Sequence, residues 1–414
     1  MEDLSYRLVS FCGLIVMLFI AWLFSENRRA ISRRVVLWGL GLQLALALLF
    51  LRSAVGEGIF RVVENVFGRL LQFSDAGSSA LFGSLTTDQS LGATLAFKAM
   101  PIIIFVASLA AVLYHLGVVQ TVVKGMAWLM QRTMGTSGAE SLSAALLVFL
   151  GIESTTAIED YIQRMTRSEL FVVMTAFLAT IASSVMGIYV DMGASAGHLL
   201  AASLMSAPAA IVIAKIMIPE TDTPLTAGIV EFRPKVQTAN VMDAAASGAI
   251  EGVKLAINVV AMLIAFLALV AAVNFVLEGS SAWVMREVLG MESAEGFTLE
   301  GILGWCFSGI AAAMGVPRGE WTEVGRLLGI KTVFNEFLAY KEMAGMAGLS
   351  ERARAISTYA LCGFANFGSI AILIGGLSVV APERRSEVAG LGLRALVAGS
   401  LAAFMTACYA GMFL

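Results

Sequence analysis

The chain has 414 residues, of which 58% are hydrophobic and only 14% charged, with a net charge of −3 and a mean hydropathy of +0.85. A soluble domain of this length carries about 25% charged residues, so much of this surface must face lipid. The weak net charge excludes an electrostatic case for nucleic acid as a partner. The four cysteines, Cys12, Cys306, Cys362 and Cys408, are dispersed through apolar stretches with no metal or pairing spacing.

Taken in chain order, the first apolar run covers 7–24. Its positive charges (Arg28, Arg29, Arg33, Arg34) follow it rather than precede it, the reverse of a signal peptide, so it reads as a retained membrane helix. Further stretches of the roughly 20 apolar residues needed to span lie at 35–52, 93–117, 169–190, 197–217, 252–277, 354–380 and 388–413, giving eight spans. The segments 55–72, with Glu57, Arg61, Glu64 and Arg69, and 118–133, with Lys124 and Arg132, read as amphipathic helices in the interface. Arginine and lysine near the spans place four loops on one cytoplasmic side, with both termini outside.

Two segments fit neither a span nor a soluble loop. The first, 139–165, is a short apolar half-helix that breaks at Gly151 and continues through Glu153, Glu159 and Asp160; the second, 320–345, carries Asn335 and Glu336 at its centre. Each is expected to enter the bilayer and return. Irregular backbone at that depth is tolerated only against protein or a water-filled cavity. Each hairpin precedes two spans, the first of which has a polar interruption: Thr180, Ser183 and Ser184 in one, Asn366, Gly368 and Ser369 in the other. The interval Glu153 to Ser183 equals that from Glu336 to Asn366, 30 positions. Paired interrupted segments in two halves of opposite topology point to a transporter's binding site near the midplane, where Glu153, Glu336, Asn366 and Ser369 would converge.

At these residues the chain resembles the concentrative nucleoside transporter family. The stretches carrying the likeness include FKAMPIIIFVASLAAVLYHLGVVQ, MTRSELFVVMTAFLATIASSVMGIY, GIKTVFNEFLAY and ALCGFANFGSIAILIGGLSVVAPERR. The resemblance implies an all-α polytopic protein with eight transmembrane helices and two re-entrant hairpins in an inverted repeat, assembled as a homotrimer in the cell inner membrane. It implies cation-coupled import of nucleosides by alternating access, and no enzyme activity. By the family's pattern Glu336, Asn366 and Ser369 would bind ribose, Val185 would line the ribose side, and Gly151, Ile152 and Glu153 would stand where the family reads the nucleobase. There the pattern departs: glycine and isoleucine replace an amide and a hydroxyl. The family's sodium ligands align with Leu146 and Thr180, and leucine supplies no oxygen. Thr180, Ser184 and Glu153 are therefore the coupling-ion candidates, with H+ as well as Na+ in play, and no cofactor beyond the cation.

The expected units are 1–138 as scaffold and interfacial helices, 139–218 as the first transport repeat, 219–299 as linker and scaffold span six, and 300–414 as the second transport repeat. Competing readings are a transporter of a non-nucleoside glycoside, a solute channel or sensor, and an intramembrane enzyme with Glu153 and Glu336 as an acid–base pair. The last lacks any nucleophile, metal or cofactor motif.

Overall fold

The computed structural model describes residues 2–86, 95–151, 159–227, 238–288 and 296–414. In chain order the helices are α1 (Glu2–Leu23), α2 (Arg33–Arg52), α3 (Ala54–Phe82), α4 (Met100–His115), α5 (Val118–Met134), α6 (Gly138–Leu147), α7 (Glu159–Ile162), α8 (Arg167–Ala179), α9 (Ser183–Asp191), α10 (Ala196–Met217), α11 (Val241–Trp283), α12 (Leu299–Ala313), α13 (Trp321–Val333), α14 (Glu336–Gly345), α15 (Glu351–Leu361), α16 (Phe367–Val380) and α17 (Arg385–Phe413). No strand occurs among the described residues.

Among the described residues, seven helices are long and apolar enough to cross a membrane by length and composition: Leu4–Leu23, Arg33–Arg52, Phe97–His115, Arg167–Asp191, Ala196–Met217, Val241–Glu287 and Pro382–Phe413. The eighth expected span is α15 and α16 together, interrupted between Leu361 and Phe367. Span six is longer than its apolar stretch: α11 runs 43 residues, about 65 Å at 1.5 Å per residue. The interfacial helix expected at 55–72 extends to Phe82 as the 29-residue α3.

One element escaped the sequence reading. The apolar α12 has only 15 residues, too few to span, and it packs along α13. Its presence completes a repetition: α4 to α10 and α11 to α17 follow the same order of two leading helices, broken hairpin, broken span and long span. The two leading helices, α4 and α11, pack on each other. Helices α1 and α2 instead pack on α10 and α17, with the hairpin-bearing layers. Within 1–138, α2 also packs on α3 and α5, and α3 on α4.

The broken helices are terminated by local chemistry. Ser137 and Thr166 start α6 and α8 with reciprocal capping boxes to Glu140 and Glu169. Asn335 and Asn366 sit in extended conformation and cap α14 and α16 with their side chains. Asparagine is among the best N-cap residues, worth about 1 kcal/mol over alanine.

The joint at the end of α10 is electrostatic. Lys215 near the end of α10 is buried and lies 2.7 Å from Glu140 and 3.0 Å from Glu220. Ser137 donates to Glu169 at 2.5 Å, and Thr166 to Glu220 at 2.9 Å. One lysine and two cross-linked capping boxes therefore bind the starts of α6 and α8 to the end of α10.

Candidate functional site

The site is built where the breaks meet. Gly363 lies in the interruption between α15 and α16, and a Cβ there would stand 2.9 Å from the Leu178 carbonyl oxygen and 3.0 Å from Ala179 backbone atoms. The adjacent Phe364 N–H donates to the Thr180 carbonyl at 3.2 Å. The two interrupted spans thus cross backbone to backbone at their breaks. Gly363 follows Thr180 by the same 183 positions that separate Glu336 from Glu153. Two related halves meeting at equivalent residues is the contact a two-fold axis between them requires.

Glu336 is the first residue of α14 and is 5% exposed. Its carboxylate accepts from the Tyr189 hydroxyl at 2.8 Å and from the Asn366 amide at 3.2 Å. Asn366 is bivalent: its side-chain oxygen accepts from the Ser369 N–H at 2.7 Å, closing the first turn of α16. The starts of α14 and α16 thus meet at one carboxylate, where the positive ends of both helix dipoles favour an anion. Ser369 is buried in the first turn of α16, and Val185 is buried one turn before Tyr189 on α9. Tyr189 stacks on Tyr340 with ring centroids 4.5 Å apart, and Tyr340 donates to the Thr358 carbonyl. Aromatic pairing of this kind fixes the ring that holds Glu336.

Around the other break, Thr180 donates to the carbonyls of Leu147 and Ala176, at 3.0 and 2.8 Å. Ser183 donates to the Phe149 carbonyl at 2.6 Å. Two hydroxyls and the carbonyl oxygens of Leu147 and Phe149 therefore gather between the end of α6 and the start of α9. Ser184 is buried beside them, and Leu146 buries an apolar side chain. Gly151 is buried at the hairpin; Ile152 and Glu153 lie outside the described residues.

Of the expected residues, the geometry brings together Glu336, Asn366 and Ser369, with Val185 on the neighbouring helix. Tyr189 was missed, although its position four residues beyond Val185 put it on the same helical face. Ser183, within the recognised polar interruption, is the hydroxyl that binds the hairpin. Lys331 makes no ion pair within 4 Å of Glu336; its amino group donates to the Ala360 carbonyl at 2.8 Å. Asp191 ends α9 and pairs with Lys98 at 2.7 Å.

Three family models cover this architecture. Residues 198–411 match the C-terminal part of the Na+-dependent nucleoside transporters, residues 12–85 the N-terminal part, and residues 96–196 a nucleoside recognition model. The chain belongs to the Na+-dependent nucleoside transporter family. It is 41% identical to an uncharacterized transporter of Haemophilus influenzae, with 98% of both chains covered. It is 39% identical to solute carrier family 28 member 3 of Rattus norvegicus, covering 98% of this chain and 58% of that relative. It is also 39% identical to the rat sodium/nucleoside cotransporter 1, of which it spans 64%. Among solved structures, CNTnw in an inward-facing substrate-bound state superposes with a TM-score of 0.89 at 41% identity, covering 99% of this chain and 98% of that one. A CNTnw variant in an outward-facing state superposes with a TM-score of 0.91 at 40% identity, covering 99% of each chain. The protein is therefore a multi-pass membrane nucleoside transporter of this family and not an enzyme.

Proposed function

We propose that this transporter imports nucleosides across the cytoplasmic membrane by sodium-coupled alternating access, with Glu336 as the ribose ligand. The observation that carries the reading is a buried carboxylate held by Tyr189 and Asn366 at the junction of two half-helix N-termini. A charge at bilayer depth costs about 2.5–3.5 kcal/mol on insertion scales, and a pair of ribose hydroxyls is a natural donor set for it. Asn366 and Ser369 complete the sugar side, Val185 supplies apolar contact, and Gly151, Ile152 and Glu153 occupy the sequence positions at which the family reads the base. Glycine and isoleucine cannot read base edges by side-chain hydrogen bonds, so tolerance of both purine and pyrimidine nucleosides follows.

Sodium takes oxygen ligands, and the Thr180 and Ser183 hydroxyls with the Leu147 and Phe149 carbonyls offer four. The half-helix ends at this break add the backbone polarity that such cation sites use. The α4–α11 pair forms the frame, and the exposed apolar residues along α11, including Ile257, Ile264, Val273 and Phe275, are where copies meet in a homotrimer.

The deciding experiment is radiolabelled nucleoside uptake into proteoliposomes under a sodium gradient, a proton gradient or neither. Accumulation driven by sodium is expected. Accumulation driven by protons alone would move the coupling to a carboxylate, and stabilisation by a glycoside but no nucleoside would change the substrate class. Glu336→Gln should weaken nucleoside binding roughly 10- to 100-fold, the worth of hydrogen bonds to a charged group, with folded protein retained in detergent. Uptake near the unsubstituted level would remove the central residue of this reading.

A further inference from the structure

Lys331 is a fully buried lysine, 1% exposed, in the last turn of α13. No carboxylate lies within 4 Å of its amino group among the described residues. Its one hydrogen-bonded partner is the carbonyl of Ala360, and its ammonium stands 5.9 Å from the ring centroid of Phe404. An ammonium in that setting requires a structural cause.

The cause lies in the broken span. In an unbroken helix the Ala360 carbonyl would accept from the N–H of Phe364. That N–H instead crosses to the Thr180 carbonyl at 3.2 Å, so Ala360 is left as an orphan acceptor at the negative end of α15. Lys331 supplies both the missing donor and the missing positive charge. The carboxylate closest to it in sequence is Glu336, at the positive-ended junction five residues on.

The first repeat differs at this point. The 183-position offset places Val148 where Lys331 stands. There the end of the hairpin helix meets the break through Thr180 and Leu147, with hydroxyls and carbonyls and, among the described residues, no cationic side chain paired with them. One repeat thus offers oxygen ligands without a charge, and the other carries its charge covalently.

We propose that Lys331 is a tethered counter-cation, occupying in the second repeat the place that a mobile coupling cation takes in the first, and so neutralising Glu336 while the site crosses the membrane. This rests on the transport reading above and explains how a site with a permanent carboxylate can move through lipid with a single dissociable cation. It makes Lys331 a positioning residue that acts on the substrate through Glu336.

The test compares full-length protein with Lys331→Met and Lys331→Arg, titrating sodium chloride against choline chloride. Two readouts are taken: melting temperature in detergent without nucleoside, and nucleoside uptake in proteoliposomes. Lys331→Met should melt lower without sodium and recover more steeply with it, its apparent order in sodium rising from about one to about two, as binding linkage requires of an added site. Lys331→Arg should keep the original order. An unchanged sodium dependence in Lys331→Met overturns the proposal. Should that variant fail to fold, Lys331→Met combined with Glu336→Gln removes both charges; recovery of folded protein supports the proposal, and continued failure overturns it. The melting readout needs no transport, so absence of uptake by the unsubstituted protein would sink the transport reading and leave this test decisive.

Discussion

At the residue scale, Asn366 shows how one side chain serves fold and site together. Its oxygen closes α16 and its amide nitrogen reaches Glu336. Substitution by aspartate separates the two roles, because aspartate caps a helix as well as asparagine does. The variant should fold, yet it sets a second carboxylate 3.2 Å-range from the first, where like charges disfavour joint ionisation. Nucleoside affinity of Asn366→Asp should therefore fall at least about tenfold at pH 7 with little change in melting temperature, measured by isothermal titration and thermal unfolding. A matched loss of both would mean that the cap, not the contact with Glu336, dominates.

At the element scale, the crossing of the two breaks and the Lys215 network make separate demands. Gly363→Ala pushes a methyl group into the backbone of Leu178 and Ala179, and backbone cannot give way as a flexible side chain would. Overpacking of this kind costs about 1–3 kcal/mol; unfolding in detergent should show it, and a neutral result would mean the crossing is looser than its contacts indicate. Lys215→Met strands Glu140, which is 1% exposed, without its counter-charge. Breaking a buried pair costs about 3–5 kcal/mol. Lys215→Met with Glu140→Gln should recover part of that loss, and strictly additive losses in the double variant would show that the two side chains do not act as a pair.

At the scale of the whole molecule, Glu26, in the segment between α1 and α2, joins three helices. Its N–H donates to the Met217 carbonyl at the end of α10, while its carboxylate binds Arg167 of α8 at 3.0 Å and also Arg394 of α17. The Arg167 hydrogen bond, with the charges of Arg167 and Arg394, holds its pKa below the ordinary carboxylate value. A depressed carboxylate contributes stability that is fully present above its unfolded pKa of about 4.3 and is lost as pH falls through the lower folded value. Glu26→Gln should therefore narrow the stability difference between pH 6 and pH 3 relative to the unsubstituted protein. An identical acid profile for both would show that this joint contributes nothing measurable.

How much of this was legible beforehand depended on the kind of signal. The spans could be read because lipid demands long apolar runs, and the breaks because Thr180, Asn366 and Glu336 interrupt those runs with groups that cannot face hydrocarbon. Helix α12 left no such mark: its apolar run is shorter than a span and lacks a polar stripe. Its pairing with α13 exists only in the folded chain. The amphipathic and apolar faces of α1 and α2 likewise carry no address, so their attachment to α10 and α17 was invisible in composition.

The sequence by itself determined a many-span helical protein with two interrupted halves, since hydropathy and the cost of buried charge act locally along the chain. Which groups touch was decided by tertiary structure alone. Tyr189 reaches Glu336 across 147 positions, and Lys331 takes the Ala360 carbonyl because Phe364 has turned away to Thr180. Such pairings follow from how the two halves cross, and hydrogen bonding there is set by geometry that no local pattern encodes.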